Sequence, residues 1–593
     1  MSVSQSTGNA FDFAVLSRVF SYAKPYRSKL IATVILTVVL AIMGPLRPWM
    51  IQYTVDNYMA ALDFKGLRNM IILMIILLLG EGYLQFLYTW LTNFLGQAVI
   101  FDLRTKLFAH VTHMRLKYFD NTPIGMLVTR VVSDMETLAD VFSEGFLVIL
   151  GDILKLVVVI VWMIAVDWRL TLVALAPVPL LWASTYWFKN AIKSSFQDVR
   201  NAVASLNAFL QEHITGMSII QIFNREKEEM DAFQKINAKH RDANNRGVWA
   251  YSVFLPVVEV LSAVSIGLVV WYGAGRALEG VASPGKIIAF IMYINMLYRP
   301  MRELADKFNT LQMGVVSSER VFKVLDTDEV IVNNGTIEAT KIKGNIDFKN
   351  VWFAYNNEDW VLKGVNISVK EGEKLAIVGA TGAGKSSIIN LLTRYYEYTR
   401  GEIFVDVENI RNYNLGSLRQ NIVAIPQDVF LFSGSIADNI SLLNPDISLE
   451  RMQEAAKAIG ADTFIEKLPD GYNFDVKERG NMLSVGQRQL IAFVRAYLCN
   501  PKILILDEAT SSVDTESEWL IQQALETLTK GRTSIIIAHR LTTVQFADRI
   551  LVLDKGEVLE QGSHAQLMQK ENGQYRKLFE LQFKKEGVQI EMD

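Results

Sequence analysis

Six windows of roughly 20 mostly apolar residues, all before residue 315 of a 593-residue chain, limit the possible folds more than any other feature of the sequence. A hydrocarbon layer about 30 Å thick takes about 20 residues of helix to cross, and inside it each backbone N–H and C=O must be satisfied by the protein itself. The windows lie at about 30–51, 70–95, 146–166, 170–188, 250–273 and 285–308 and predict six membrane-spanning helices. The third and fourth meet at Asp167-Trp168-Arg169, which predicts a tight hairpin at one membrane face. The polar start MSVSQSTGNAFDF lacks the basic and short apolar regions of a cleaved leader, so the first window is expected to stay as a membrane helix.

Short loops rich in Lys and Arg stay on the cytoplasmic side. The 97–144 connection carries Arg104, Lys106, Arg115, Lys117 and Arg130, and the 189–246 connection carries nine Lys or Arg, whereas the opposite loops hold little more than Lys65, Arg169, Arg276 and Lys286. Both termini are therefore expected in the cytoplasm, in the cell (inner) membrane. The two long basic connections are helix-patterned, with bends near Pro123-Ile124-Gly125 and Thr215-Gly216 that would face a cytoplasmic domain.

After residue 320 the character changes. A linker is expected over 321–343, and from 344 to 593 alternating strands and helices predict a soluble α/β domain. The mixed composition agrees with two such halves: 51% hydrophobic, 20% charged, with a mean hydropathy of +0.21. A net charge of −3 supplies no global attraction to nucleic acid. The lone Cys499 excludes an intramolecular disulfide and a cysteine-built zinc site, and is read as structural.

The chemistry lies in the second half. Strand KLAIVG runs into Gly379-Ala-Thr381-Gly382-Ala383-Gly384-Lys385-Ser386-Ser387 and then an apolar helix, the strand–loop–helix setting of a phosphate-binding loop. Glycines let backbone N–H groups close on phosphate, Lys385 reaches the β- and γ-phosphates, and Ser386 is a Mg²⁺ ligand. A second apolar strand, ILIL, ends in Asp507-Glu508. That pair suits metal-dependent phosphoryl transfer, with Asp507 on Mg²⁺ and Glu508 polarising the attacking water. Taken alone, such a pair fits a helix cap equally well.

Between these motifs stands Leu483-Ser484-Val485-Gly486-Gln487, and with it the chain resembles an ABC transporter of the exporter type, whose signature is usually LSGGQ. Val485 departs from that pattern at the third position. Ser484 retains the ability to cap the following helix, and Gly486 allows close backbone approach. The resemblance implies further roles: Tyr355 stacking on adenine, unless it is ordinary strand packing; Gln427 contacting Mg²⁺ and the attacking water; Asp514 in the D-loop; His539 holding the γ-phosphate. It also implies that Gln487 belongs to the nucleotide site, that Glu478-Arg479-Gly480 touches the membrane half, and that 119–134 and the stretch from Glu212 are coupling segments.

One copy of each motif implies a dimer with a second half-transporter, either the same chain or a sister chain, sandwiching two Mg-ATP. ATP-driven export of a small hydrophobic or amphipathic substrate, drug or lipid, follows from the resemblance. Its alternatives are an ATP-gated channel or regulatory subunit, and an importer with the exporter fold. Glu81, Asp152, Lys155 and Glu259 are ionisable residues within spans; Asp152 and Lys155 are also spaced to pair on one helix face. Met292, Met296, Tyr293 and Tyr298 suit either an adaptable apolar cavity or plain helix packing.

Overall fold

The computed structural model describes residues 13–331, 333–356, 358–507, 515–538, 544 and 546–586, with backbone only at 13, 144, 302–306, 308–309, 515–517 and 581–586. Contacts divide the chain into two units: Met1–His113 with Thr122–Asp328, and Met114–Asn121 with Glu329–Asp593.

The first unit is helical. Its elements are α1 Phe13–Ser21, α2 Arg27–Met43, α3 Leu46–Tyr53 and α4 Phe64–Thr112, then, after α5 Leu116–Asn121 of the other unit, α6 Ile124–Val131, α7 Ser133–Asp140, α8 Phe146–Leu175, α9 Val178–Thr215, α10 Met217–Ile222, α11 Glu226–Leu278 and α12 Pro284–Leu325. Among the described residues, four helical stretches are long and apolar enough to cross a membrane: Lys24–Met59, Phe64–Thr112, Ile124–Leu175 and Glu226–Leu278. Within α8, Asp167 leaves helical dihedrals (φ −162°, ψ 108°). Its carboxylate accepts the Arg169 and Leu170 N–H groups at 3.0 and 3.2 Å and so caps the helix that restarts there. The 170–188 window is interrupted at Ala176-Pro177, because Pro177 has no N–H to continue the helical ladder.

Two expectations change. The 321–343 linker begins later: α12 runs to Leu325 because Val321, Phe322 and Val324 are buried. Beyond it, Asp326 takes two 2.6 Å bonds from Arg18, whose guanidinium lies 4.2 Å from the Phe322 ring. Asp152 does not turn to Lys155 on its own helix; it pairs with Lys307 of α12 at 2.6 Å, since a partner on a packed neighbour can reach it where solvent is scarce. Of the two readings open for Tyr293 and Tyr298, the structure supports helix packing. Both are buried, with their hydroxyls bonded to the Pro45 carbonyl (3.2 Å) and to Ser265 Oγ (2.7 Å), so this part of the aromatic stripe is helix packing.

The second unit is α/β. A four-stranded antiparallel sheet has the order β2 Trp360–Val369, β1 Ile346–Ala354, β4 Arg400–Val405, β5 Glu408–Asn409. A six-stranded sheet has the order β10 Glu557–Gly562, β9 Arg549–Asp554, β3 Lys374–Val378, β8 Thr533–Ile537, β7 Ile503–Asp507, β6 Ile422–Ile425. All its neighbours pair in parallel except β10 with β9. Every residue of β8 is buried, as expected of a parallel strand covered on both faces. Its helices include α13 Lys385–Leu392, α14 Leu415–Asn421, α15 Ile436–Ser441, α16 Leu449–Ile459, α17 Asp462–Ile465, α18 Val485–Cys499 and α19 Thr515–Thr529. One core joins both sheets with Ile388, Leu391 and Leu392 of α13. A second packs α16 and α18 on β6, β7 and β8.

Asp406 ties the start of this unit to its first sheet. In the β4–β5 turn (φ 57°) its carboxylate accepts the N–H groups of Lys343, Gly344 and Asn345 at 2.8, 3.0 and 2.9 Å. Burial pushes that carboxyl upward, but the three N–H groups outweigh it and hold it below the usual range.

Candidate functional site

Parallel pairing decides which loops meet. Ile377 of β3 stands opposite Ile537 of β8, and Ile537 opposite Asp507 of β7. Leu506 in turn stands opposite Ile425 of β6. The carboxyl ends of four adjacent strands therefore deliver Gly379, Ala538, Asp507 and, two residues past Ile425, Gln427 to one edge of the sheet. That edge is where open α/β sheets bind ligands.

The turn from β3 into α13 is built on glycine. Gly382 and Gly384 have φ of 83° and 103°, in the left-handed region. A Cβ at Gly379 would lie 2.1 Å from the Leu553 carbonyl oxygen, so only glycine lets the loop pass β9 this closely. Lys385 opens α13 and is buried, its Nζ donating to the carbonyls of Gly379 (2.8 Å) and Ala380 (3.0 Å). Burial lowers its pKa, while the Asp507 carboxylate acts in the opposite sense and places a negative charge within reach of it. Thr381, Gly382 and Ser386 are exposed on this loop, whereas Ala383 and Ser387 are buried.

This arrangement fits a nucleoside triphosphate. It offers a glycine-wound loop opening an eight-residue helix, one buried cation, an exposed hydroxyl on the first turn, and a carboxylate on the neighbouring strand. Gln427 is exposed just beyond β6. Glu508, Asp514 and His539 lie outside the described residues.

Comparison with known proteins bears on the same segments. Residues 30–301 match the family described as ABC transporter transmembrane region, and residues 362–511 the family described as ABC transporter. The chain is 37% identical over 580 residues to YknV, an uncharacterized ABC transporter ATP-binding protein of Bacillus subtilis, covering 97% of this chain and 95% of that one. The chain is an ABC transporter. An ATP-dependent lipid A-core flippase of Syntrophus aciditrophicus is 32% identical over 575 residues, 97% of this transporter and 95% of the relative. YheH of Bacillus subtilis, named for multidrug resistance, is 36% identical over 526 residues, 88% and 77%.

The transporter binds ATP in its second unit and is a multi-pass membrane protein in its first. Its signature segment is folded as a helix start. Ser484 Oγ accepts the Gln487 N–H at 3.2 Å and the Gln487 side chain accepts the Ser484 N–H at 3.0 Å, a complete capping box ahead of α18. Gln487 is thereby occupied as a cap, Gly486 is buried in the first turn, and Val485 is 43% exposed. In Glu478-Arg479-Gly480, Arg479 sits at φ 54° and Gly480 at φ 67°, and Arg488 donates to the Gly480 carbonyl at 3.3 Å as well as to the Leu483 carbonyl at 2.9 Å.

Tyr355 is held by packing and hydrogen bonds within its own unit. It is half-buried, edge-on to Phe353 and Tyr396 at 4.7 and 4.9 Å, and its hydroxyl meets Ser387 Oγ (3.1 Å) and Asn390 Nδ2 (2.9 Å). Asn390 and Tyr396 were not singled out from sequence. The available signal was the three-residue spacing of Ser387 and Asn390, which puts both on one face of α13.

Proposed function

We propose that this ABC transporter uses ATP hydrolysis to export a hydrophobic or amphipathic substrate, drug or lipid, across the cytoplasmic membrane as a dimer of half-transporters. The observation that carries the reading is the alignment of the phosphate loop, Asp507 and Gln427 at one sheet edge, in a chain whose other unit contains helices apolar enough to cross a membrane. The named relatives, a lipid A-core flippase and a protein named for multidrug resistance, support the cargo class.

Six spans, with both termini cytoplasmic, complete the reading; the helix restart at Asp167 supports counting 146–166 and 170–188 separately. In it, Lys385 and the loop N–H groups hold the phosphates, Ser386, Asp507 and Gln427 are the residues that would hold magnesium, and Tyr355 borders the adenine. Magnesium, when bound, neutralises phosphate charge and fixes the geometry of the triphosphate. Glu508 takes the proton of the attacking water and His539 orients the γ-phosphate end, while Ser484, Gly486 and Asp514 face the partner's nucleotide. Alternating access follows when the closed dimer, favoured while the γ-phosphate is present, loses those contacts on hydrolysis.

The test is ATPase activity of the purified chain in lipid nanodiscs, with and without a panel of hydrophobic compounds and lipids, with Glu508→Gln as the blank. Compound-stimulated hydrolysis that Glu508→Gln abolishes is expected. Normal turnover in Glu508→Gln refutes the assigned base, and hydrolysis that no compound or lipid changes, alone or with a sister chain, refutes the cargo class.

A further inference from the structure

The nucleotide-binding unit contains a short piece of chain far from it in sequence, and that piece is wired to the phosphate-loop helix. Met114 bridges Val330, and Arg115 donates its N–H to the Glu329 carbonyl and its Nε to the Val330 carbonyl, both at 2.8 Å. The following helix α5 presents Asp120, whose carboxylate accepts the Tyr396 hydroxyl. The Tyr396 ring is edge-on to Tyr355 at 4.9 Å and 85°, and Tyr355 reaches Ser387 and Asn390 of α13 through its own hydroxyl. Ser387 follows Lys385 and Ser386 directly, so each link from Asp120 to the phosphate loop is a hydrogen bond, a ring contact or a peptide bond.

A cavity of about 290 Å³ lies beside this chain, lined by Leu116, Phe119, Phe353, Tyr355 and Tyr396 among others, and by no residue of the phosphate loop. Burial and the neighbouring carboxylate both push the Tyr396 phenol upward, which keeps it a proton donor to Asp120. Neither Asp120 nor Tyr396 has a part in the nucleotide contacts assigned above.

We infer that Asp120 and Tyr396 are positioning residues for the nucleotide site, setting through Tyr355 the placement of Ser387 and Asn390 and hence of the first turn of α13. The inference rests on the reading of Lys385 and Ser386 as nucleotide contacts. It assigns α5 a defined route to the phosphate loop: an oriented side-chain chain whose members can be cut one at a time.

The experiment uses the full chain in nanodiscs and the variants Tyr396→Phe, which keeps the ring and loses the hydroxyl, Asp120→Ala, and the double variant. Two quantities are read: amide exchange of residues 379–392 without nucleotide, and affinity for a fluorescent non-hydrolysable ATP analogue. Each single variant is expected to speed exchange in 379–392 but not in β9 and β10, and to weaken the analogue about five- to tenfold, the low end of couplings between sites. The double variant is expected to be no worse than the worse single, because both cut one chain. Unchanged exchange in 379–392, an effect in only one single variant, or single effects that multiply in the double variant overturns the inference. Lys385→Ala separates the two readings. Analogue binding retained in that variant refutes the nucleotide assignment itself, while the nucleotide-free exchange result still decides the wiring.

Discussion

Alanine placed at two glycines of the phosphate loop should have very different effects, for reasons visible in the loop's surroundings. At Gly382 a Cβ would meet nothing within 4 Å, and the only penalty is a φ of 83°. A left-handed alanine costs about 1–2 kcal/mol, so Gly382→Ala should weaken ATP by up to about five- to thirtyfold where the empty variant loop relaxes and must return to this shape to bind. At Gly379 the Cβ would stand 2.1 Å from the Leu553 carbonyl oxygen, more than an ångström short of the 3.4 Å at which ordinary contact begins. Leu553 cannot yield, because β9 is paired on one side with β3 and on the other with β10. The loop must move instead, so Gly379→Ala should weaken ATP more than Gly382→Ala and, since a displacement of about 1 Å at a reacting site costs on the order of 100-fold in rate, should also lose turnover on that scale. Titration of the full-length protein with a fluorescent ATP analogue, alongside a thermal melt to confirm folding, measures both. Equal losses for the two variants, or Gly379→Ala binding within about twofold of wild type, would show that close passage past β9 does not shape the site.

Three further outcomes are expected. Asp406 has a folded-state carboxyl held below its ordinary value near 3.9, so its stabilisation is complete above that value and is lost as pH falls through the lower folded one. Between about pH 6 and pH 3 the apparent melting temperature of wild type should fall more steeply than that of Asp406→Asn, which starts lower; parallel curves would exclude the charge as the cause. Ser484→Ala removes half of the capping box, worth about 1 kcal/mol, and should speed amide exchange in the first turn of α18 about fivefold; unchanged exchange there would mean the cap does not hold the helix start. Asp152→Asn removes the charge that Lys307, 19% exposed, meets at 2.6 Å, and should cost about 1–3 kcal/mol, below the range for fully buried pairs; the exchange Asp152→Lys with Lys307→Asp should recover most of it, and no recovery would argue against an ion pair.

The parts legible in the sequence were those in which one short segment contains its own explanation. The phosphate loop is a strand, a run of glycines and a helix in immediate succession, and the signature's Ser484 and Gln487 make the cap that their spacing of three implies. Apolar windows of membrane length announce themselves in the same way. What stayed hidden depends on partners distant in the chain. Asp152 looked paired with Lys155 because helix spacing is the only neighbour relation that sequence displays, whereas the partner reached through packing is 155 residues away. The end of α12 was misplaced because DTDEV loosens the pattern only after Val321, Phe322 and Val324 have found a buried face. Asp120 lies in the 119–134 segment that the resemblance marks, but nothing in the sequence joins it to Tyr396, 276 residues away.

Val485 combines both situations. The departure from glycine invites the inference that the signature is damaged, because glycine in a motif usually marks a left-handed backbone or a close approach. Here the position is the first residue of α18, which holds helical dihedrals that valine adopts readily, and the cap on either side uses Ser484 and Gln487 without reference to it. No Cβ is squeezed there, since the side chain is 43% exposed. Gly486, by contrast, is buried in the same turn. The backbone cost of the substitution is therefore small, and whatever Val485 changes must come from the methyl groups it presents outward, on the face where the proposed dimer would place the partner's nucleotide. In the proposed dimer, a departure of that kind would tune a contact with the second chain while leaving the fold of its own unit untouched.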